Sequence, residues 1–173
     1  STIASTLEVY VNKTKSDVAL IDIAVSKERN IGARAIWDIK TLHEIFLTQG
    51  NPESIGLSAI GARLNPYPQN DKLGIHIQIG NEGIYVDAPI APGIIERVPI
   101  KNWHLLSIGK TVEIDLSPCT IALDGERAIS LSSNESAEIL LSDQGPTVIS
   151  VKSTLREASS QGVFTNSIKK RLE

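Results

Sequence analysis

The sequence contains few aromatic residues and little sulfur, and it has no large excess of positive or negative charge. Of 173 residues only 4% are aromatic, methionine does not occur and Cys119 is the single cysteine. The interior must therefore be built from Ile, Leu, Val and Ala, and an internal disulfide is excluded. The 17 basic and 20 acidic residues give a net charge of −3, without the basic excess that binding to nucleic acid requires.

Long apolar runs are also missing from the sequence. No stretch approaches the roughly 18 residues of a membrane-spanning helix, and no signal peptide opens the chain. We therefore expect a cytoplasmic protein with neither nucleic acid nor a membrane as partner. The length lies near the ~150 residues typical of one domain, so residues 1–173 are predicted to form a single domain.

Alternation of apolar and polar residues predicts a mainly β fold. Residues 73–79 alternate strictly, with His76 on the polar face, and residues 7–11 and 111–116 repeat this period of two. Residues 18–25 form an almost continuous apolar run, interrupted by Asp22. Such a run is typical of a strand that is covered on both faces.

Turn residues predict two hairpins in the second half of the chain. Asp124-Gly125 separates two apolar runs and is a favoured pair for a tight turn, because both positions tolerate positive φ. A second hairpin is expected across residues 142–146, which would join residues 138–141 to residues 147–151.

Helical signals are few. Asp38 can cap a helix over residues 39–48, in which Leu42, Ile45 and Phe46 share one face. Thr154 and Glu157 have the spacing of a capping box, which predicts a helix start near Thr154. Residues 168–173 are expected to form a short helix or a tail.

Asp22 is the first candidate for a functional residue. A carboxylate in an apolar strand must find hydrogen-bond donors or a charge partner, which backbone amides at a strand end can also supply. Ser58, Ala59 and Gly61 are further candidates, because they lie in a run of small residues that lets the backbone approach a phosphate or a ribose. The same run would suit tight packing of two elements, and it matches neither a Rossmann nor a Walker motif.

The remaining reactive residues predict no catalytic centre. His43, His76 and His104 are far apart in the sequence and lack the spacing of metal ligands, so we interpret them as solvated or locally bonded. Cys119 is interpreted as a small core residue. A hydrolase nucleophile motif does not occur. The sequence therefore suggests no catalytic residue and no metal site.

Five segments resemble, in chain order, the C-terminal half of the acetoin catabolism protein X family. They begin at residues 22, 31, 55, 88 and 121, and the most specific are Ile31-Gly-Ala-Arg-Ala-Ile-Trp37 and Leu123-Asp-Gly-Glu-Arg127. This family is in turn similar to NAD kinases. The resemblance implies a two-sheet β domain like the C-terminal domain of those kinases, with a last helix that packs toward an N-terminal α/β domain.

The resemblance also implies a function. In NAD kinases the N-terminal domain carries a Gly-Gly-Asp-Gly motif that assists phosphoryl transfer, and this motif does not occur in the chain. The resemblance implies that Asp22, Ser58, Ala59 and Gly61 contact a dinucleotide. It further implies that NAD or ATP is the cofactor of the complete protein, and that copies of this domain form a homo-oligomer.

The sequence departs from the kinase pattern at three places. Ile21-Asp22 stands where the kinases have Asn-Glu, residues 50–55 keep almost nothing of a Thr-Gly-Ser-Thr-Ala-Tyr loop, and Gly93 replaces a histidine. An intact NAD site is therefore not expected. Two functions stay open: a nucleotide-binding domain that is not catalytic alone, or a self-association module with no nucleotide site. A third possibility is that the chain is an unrelated β-sandwich that binds a small ligand.

Overall fold

A computed structural model of the chain describes residues 1–28, 39–65 and 72–165. These residues form strands, two α-helices and one short 3-10 helix, so the predicted mainly β fold with one or two short helices is confirmed. Neither α-helix is long and apolar enough to cross a membrane. In chain order the elements are β1 (Thr2–Ile3), β2 (Thr6–Val11), β3 (Thr14–Ala19), β4 (Asp22–Ser26), the 3-10 helix (Ile39–Thr41), β5 (Leu42–Leu47), α1 (Leu57–Leu64), β6 (Leu73–Ala91), β7 (Ile94–Ser107), β8 (Thr111–Glu113), β9 (Cys119–Leu123), β10 (Arg127–Leu131), β11 (Ala137–Ser142), β12 (Thr147–Val148) and α2 (Val151–Ser160).

Two antiparallel sheets and a short ribbon contain these strands. The larger sheet has the order β10-β9-β4-β5-β6-β7, the smaller has the order β3-β2-β11-β8, and β1 pairs with β12. One apolar core lies between the two sheets, where Leu7 and Leu141 of the smaller sheet meet Ile23 and Phe46 of the larger. Because alternate residues of a strand face opposite sides, the larger sheet has a second apolar face.

Helix α1 and the far end of the β6–β7 hairpin cover that second face. Ile45 and Leu47 of β5 pack there with Ile60 of α1 and with Ile100 of β7. The pairing of β6 with β7 skips residues 80–83, since Ile79 and Ile84 both lie opposite Ile100. Gly83 sits in this irregularity at φ 142°, and a Cβ on it would lie 2.3 Å from the Ile100 carbonyl oxygen. Backbone packing therefore requires glycine at this position.

The predicted helix over residues 39–48 is wrong. A 3-10 turn is followed by the strand β5 from Leu42, and Asp38 lies outside the described residues. Leu42, Ile45 and Phe46 do show helical spacing, but Glu44 and Leu47 are buried as well. A strand that is covered on both faces has no informative apolar period.

The single strand predicted for residues 18–25 is also wrong, because the chain changes sheets in this run. Strand β3 ends at Ala19 in the smaller sheet, and β4 begins at Asp22 in the larger. Between them Leu20 and Ile21 are 48% and 43% exposed. The covered strand predicted here is confirmed for β4 alone, whose residues after Asp22 are all buried.

Of the two predicted hairpins, only the first is correct. Asp124 and Gly125 have φ values of 52° and 68°, and the Glu126 amide donates to the Leu123 carbonyl at 3.0 Å. The second fails because β12 pairs with β1 rather than with β11. Gly145 makes this pairing possible, since a Cβ there would lie 2.2 Å from the Ala4 carbonyl oxygen.

The helix predicted near Thr154 is present, but the predicted capping box is wrong. Ser150 is the N-cap of α2, and its side chain accepts the Ser153 amide at 3.3 Å. Thr154 and Glu157 therefore lie inside the helix. The segment from Ile31 to Trp37 and residues 168–173, for which we also made predictions, lie outside the described residues.

Candidate functional site

Asp22 lies at the beginning of β4, beside a second acid. Its backbone pairs with Leu47 on one side, and on the other its amide donates to Oδ1 of Asp124 at 3.2 Å. Burial, with a smaller contribution from the negative charge of Asp124, raises the pKa of the Asp22 carboxyl to about 6. The pKa of Asp22 is therefore shifted toward neutral pH, as is common for acids at functional sites.

Ser58, Ala59 and Gly61 lie on α1 and are buried against the larger sheet. A Cβ on Gly61 would lie 2.4 Å from Cδ1 of Leu47, so the helix approaches β5 as closely as a glycine allows. Leu47 is thus a neighbour of both Gly61 and Asp22. The structure brings the four predicted dinucleotide contacts to one face of the sheet, and their role in binding stays a prediction.

A cavity of about 480 Å³ opens beside Leu20 and Ile21, and none of the four predicted dinucleotide contacts lines it. It lies between the first residues of the chain, the Leu20–Ile21 corner and the residues that follow β5. Its walls include Ile3, Leu20, Ile21, Thr48 and Lys72. The Thr48 hydroxyl donates to the Leu20 carbonyl at 2.8 Å, and Lys72 forms an ion pair with Asp143 at 3.2 Å.

A second group of polar residues, which the sequence analysis missed, lies at the junction of the two sheets. His43 and Glu44 belong to β5 in the larger sheet, and Asp115 follows β8 of the smaller sheet. Nε2 of His43 is hydrogen-bonded to Oδ1 of Asp115 and lies 3.7 Å from Oε1 of Glu44. The His43 hydrogen bond lowers the pKa of the Asp115 carboxyl. We call these three residues the junction cluster.

A β-bulge makes the junction cluster possible. Leu42 lies opposite Ser26 and Glu44 lies opposite Val25, so His43 is an extra residue on β5. In a regular strand two consecutive side chains point to opposite faces, whereas a bulge redirects one of them. His43 and Glu44 can therefore both approach Asp115. No pattern in the sequence predicts this bulge.

Two further histidines stand behind Glu44. The Glu44 side chain is 1% exposed, and its Oε2 lies 2.6 Å from Nε2 of His76. His76 stacks on Phe46 with 4.3 Å between ring centroids, and His104 meets its edge at 4.8 Å. Burial, and to a lesser degree His76, lowers the pKa of His104. Of the two predicted states, solvated or locally bonded, His76 has the second, because it is buried and bonded to Glu44.

Cys119 is buried, as predicted for a core residue. Burial, with a smaller effect of the Glu44 charge, raises the pKa of its thiol to about 11. A thiol with so high a pKa holds little thiolate near neutral pH, so Cys119 is a weak nucleophile.

The described residues thus define a mainly β protein in which two antiparallel sheets enclose an aliphatic core. The chain belongs to the acetoin catabolism protein X C-terminal domain family, whose sequence model matches residues 5–144. It is 34% identical over 147 residues to acetoin catabolism protein X of Cupriavidus necator. The match covers 83% of this chain and 41% of that relative. The chain therefore spans about two-fifths of the relative's length, and the predicted family is confirmed.

Proposed function

We propose that this chain is the assembly part of an acetoin catabolism protein X-type protein and contributes one wall of a dinucleotide site. We also propose that its fold is similar to the C-terminal domain of NAD kinases. Phosphoryl transfer depends on positioned charges, and the Gly-Gly-Asp-Gly motif of those kinases does not occur in the sequence. We therefore infer that the chain alone does not phosphorylate NAD.

The apolar side of α2 is the observation that carries the assembly role. Val151 and Leu155 lie one helical turn apart and are 69% and 52% exposed, and α2 has no buried residue. Ile149 before the helix and Phe164 after it are 68% and 64% exposed. A helix of this length gains most of its stability from packing, so a second surface that covers it would be favoured.

The surface that we propose as its partner belongs to a second copy of the chain. Ile3, Leu20 and Ile21 are exposed, and they line the 480 Å³ cavity, so each copy offers both an apolar helix and an apolar groove. A reciprocal contact between two such surfaces is the usual geometry of a symmetric dimer. The net charge of −3 is too small to oppose it.

The dinucleotide role is supported by Asp22 and by the small residues of α1, none of which lines the 480 Å³ cavity that the second copy would fill. Asp22 pairs with Leu47 in the larger sheet, and Gly61 packs against the same residue. In this proposal the Asp22 carboxylate accepts a hydrogen bond from a ribose hydroxyl.

Light scattering tests the assembly role. We expect a mass of twice 18.7 kDa at micromolar concentration and a shift to monomer in Leu155→Glu. Arg156→Gln changes the net charge equally, lies off the apolar side of α2, and is expected to leave the dimer intact. A mass of one chain at every concentration would contradict the proposal.

A thermal-shift series with NAD, NADP and ATP tests the dinucleotide role separately. A ligand that binds only the folded state raises Tm, and Asp22→Ala should remove that rise. An assay of NADP formation with ATP and Mg²⁺ should stay at the blank.

The second candidate function is a self-association module with no nucleotide site. The close contact of Gly61 with Leu47 favours it, because this contact explains the small residues of α1 by packing alone. A dimer whose Tm is unchanged by NAD, NADP and ATP would support this second function and contradict the dinucleotide role.

A further inference from the structure

We propose that the junction cluster of His43, Glu44 and Asp115 binds a divalent transition-metal cation of the zinc class. None of these three residues belongs to the proposed dimer surface or to the proposed dinucleotide contacts. Its donor atoms, the histidine that orients Glu44 and the exposed side of the cluster all suit a bound ion.

The donor atoms have the composition and spacing of a metal site. One imidazole nitrogen and two carboxylate oxygens lie within 4.8 Å of one another. Nε2 of His43 and Oε1 of Glu44 are 3.7 Å apart. Two ligands held about 2.1 Å from a tetrahedral ion are about 3.4 Å apart, so a small adjustment suffices. The ion would replace the hydrogen bond that now joins His43 to Asp115.

The buried histidine His76 holds Glu44 in the orientation that a ligand needs. Nε2 of His76 lies 2.6 Å from Oε2, which leaves Oε1 for the ion, and the Asp115 amide lies 3.3 Å from that Oε1. His76 is 3% exposed, and its Nδ1 has no hydrogen-bond partner among the described residues. Its ring is therefore positioned by Glu44 and by stacking on Phe46. Hydrogen bonds from behind a ligand are a regular feature of metal sites.

The bulge in β5 and the exposed side of the cluster complete the site. The bulge places two adjacent residues, His43 and Glu44, around one point, and bulges recur beside functional sites. The Asp115 side chain is 59% exposed and that of His43 is 24% exposed, so an ion can enter from solvent. Three protein ligands leave a coordination position for water or a substrate oxygen. The imidazole favours zinc, copper, iron or nickel over magnesium.

Cobalt(II) is the probe for this site, because its visible absorption reports coordination by nitrogen and oxygen at low coordination number. We expect saturable binding of one Co²⁺ per chain, displacement by Zn²⁺, and a higher Tm with either ion. Asp115→Asn should weaken binding at least 30-fold. His76→Gln should weaken it about 10-fold, the lower end of the usual effect of such an orienting residue.

Two controls separate the site from adventitious binding. Asp143→Asn makes the same change on an acid outside the cluster, and Asp87→Asn makes it on an acid that is paired with Arg97. Both should bind Co²⁺ like the unaltered chain. Asp115 is exposed, so Asp115→Asn is expected to fold, and circular dichroism checks this. The proposal is overturned if no Co²⁺ binds, or if Asp115→Asn binds as tightly as the unaltered chain.

Discussion

Asp124 is hydrogen-bonded to the backbone of Leu20, a residue 104 positions earlier in the chain. The Leu20 amide donates to both carboxylate oxygens, at 3.1 and 2.9 Å. The amides of Ile21 and Asp22 donate to the same carboxylate at 2.8 and 3.2 Å. The β9–β10 hairpin thereby holds the corner at which the chain passes from the smaller to the larger sheet.

Asp124→Ala should lower the free energy of unfolding by about 2 kcal/mol. Three amides lose a charged acceptor, and hydrogen bonds to charged groups are among the stronger ones. Asp124→Asn keeps an acceptor and tolerates the positive φ of this position, so its effect should be about half as large. Urea unfolding measures both. Equal stability of Asp124→Ala and the unaltered chain would refute the role of this carboxylate.

Gly125→Val should destabilise the protein by about 1 kcal/mol or more. Gly125 has φ 68°, a conformation that a β-branched residue adopts poorly. Gly93→Val at the tip between β6 and β7 is the comparison. Gly93 also has a positive φ of 76°, but no atom lies within 4 Å of a Cβ added there. An unchanged Tm for Gly125→Val would mean that the turn adopts another conformation in solution.

Gly61→Ala should destabilise the protein by about 1 kcal/mol, although alanine is the better helix former. Helix propensity favours alanine by about 1 kcal/mol, whereas overpacking in a core costs about 1 to 3. The new Cβ would meet Leu47, which is fully buried and cannot turn away freely. The double variant Gly61→Ala with Leu47→Val should recover part of the loss. A more stable Gly61→Ala would show that α1 can move away from β5.

Asp22→Asn should raise the free energy of unfolding by about 2 kcal/mol at pH 7. The pKa of Asp22 is raised to about 6 in the folded state, against about 3.9 in an unfolded chain. The folded state therefore binds the proton more tightly, and stability increases as the pH falls from 7 toward 4. Asn cannot titrate, so this part of the pH dependence should disappear in the variant.

Asp87→Asn is the matched control for that experiment. Arg97 lowers the pKa of the exposed Asp87 carboxyl, the opposite direction to Asp22. The same chemical change should therefore give no gain of stability at pH 7. If both variants gain equally, or neither does, the elevated pKa of Asp22 is not the cause.

Local sequence signals predicted the elements that depend on a few neighbouring residues. Asp124 and Gly125 form the expected turn because their φ preferences act within one peptide unit. Residues 73–79 form the start of β6, yet His76, assigned to the polar face, is buried under the smaller sheet. Alternation identifies a strand, but it does not reveal that both faces are covered.

The surroundings of Asp22 likewise depend on contacts that local sequence patterns do not reveal. Asp22 attracts attention in the sequence because a carboxylate in an apolar run is unusual, and the structure gives it a raised pKa. The negative charge of Asp124 beside it comes from a hairpin 102 positions away. The cavity beside Leu20 and Ile21 depends on the pairing of β1 with β12, which replaced the predicted second hairpin.

The sequence by itself determined the aliphatic core, the predominance of strands, the Asp124-Gly125 turn and the family, because composition, period and short motifs are local properties. The tertiary structure alone decided where residues 18–25 change sheets, why α1 needs Gly61, and how His43 and Glu44 meet Asp115. Each of these depends on contacts between residues distant in the chain. Such contacts are fixed by sheet order and register, and one extra residue in β5 was enough to turn His43 toward Asp115.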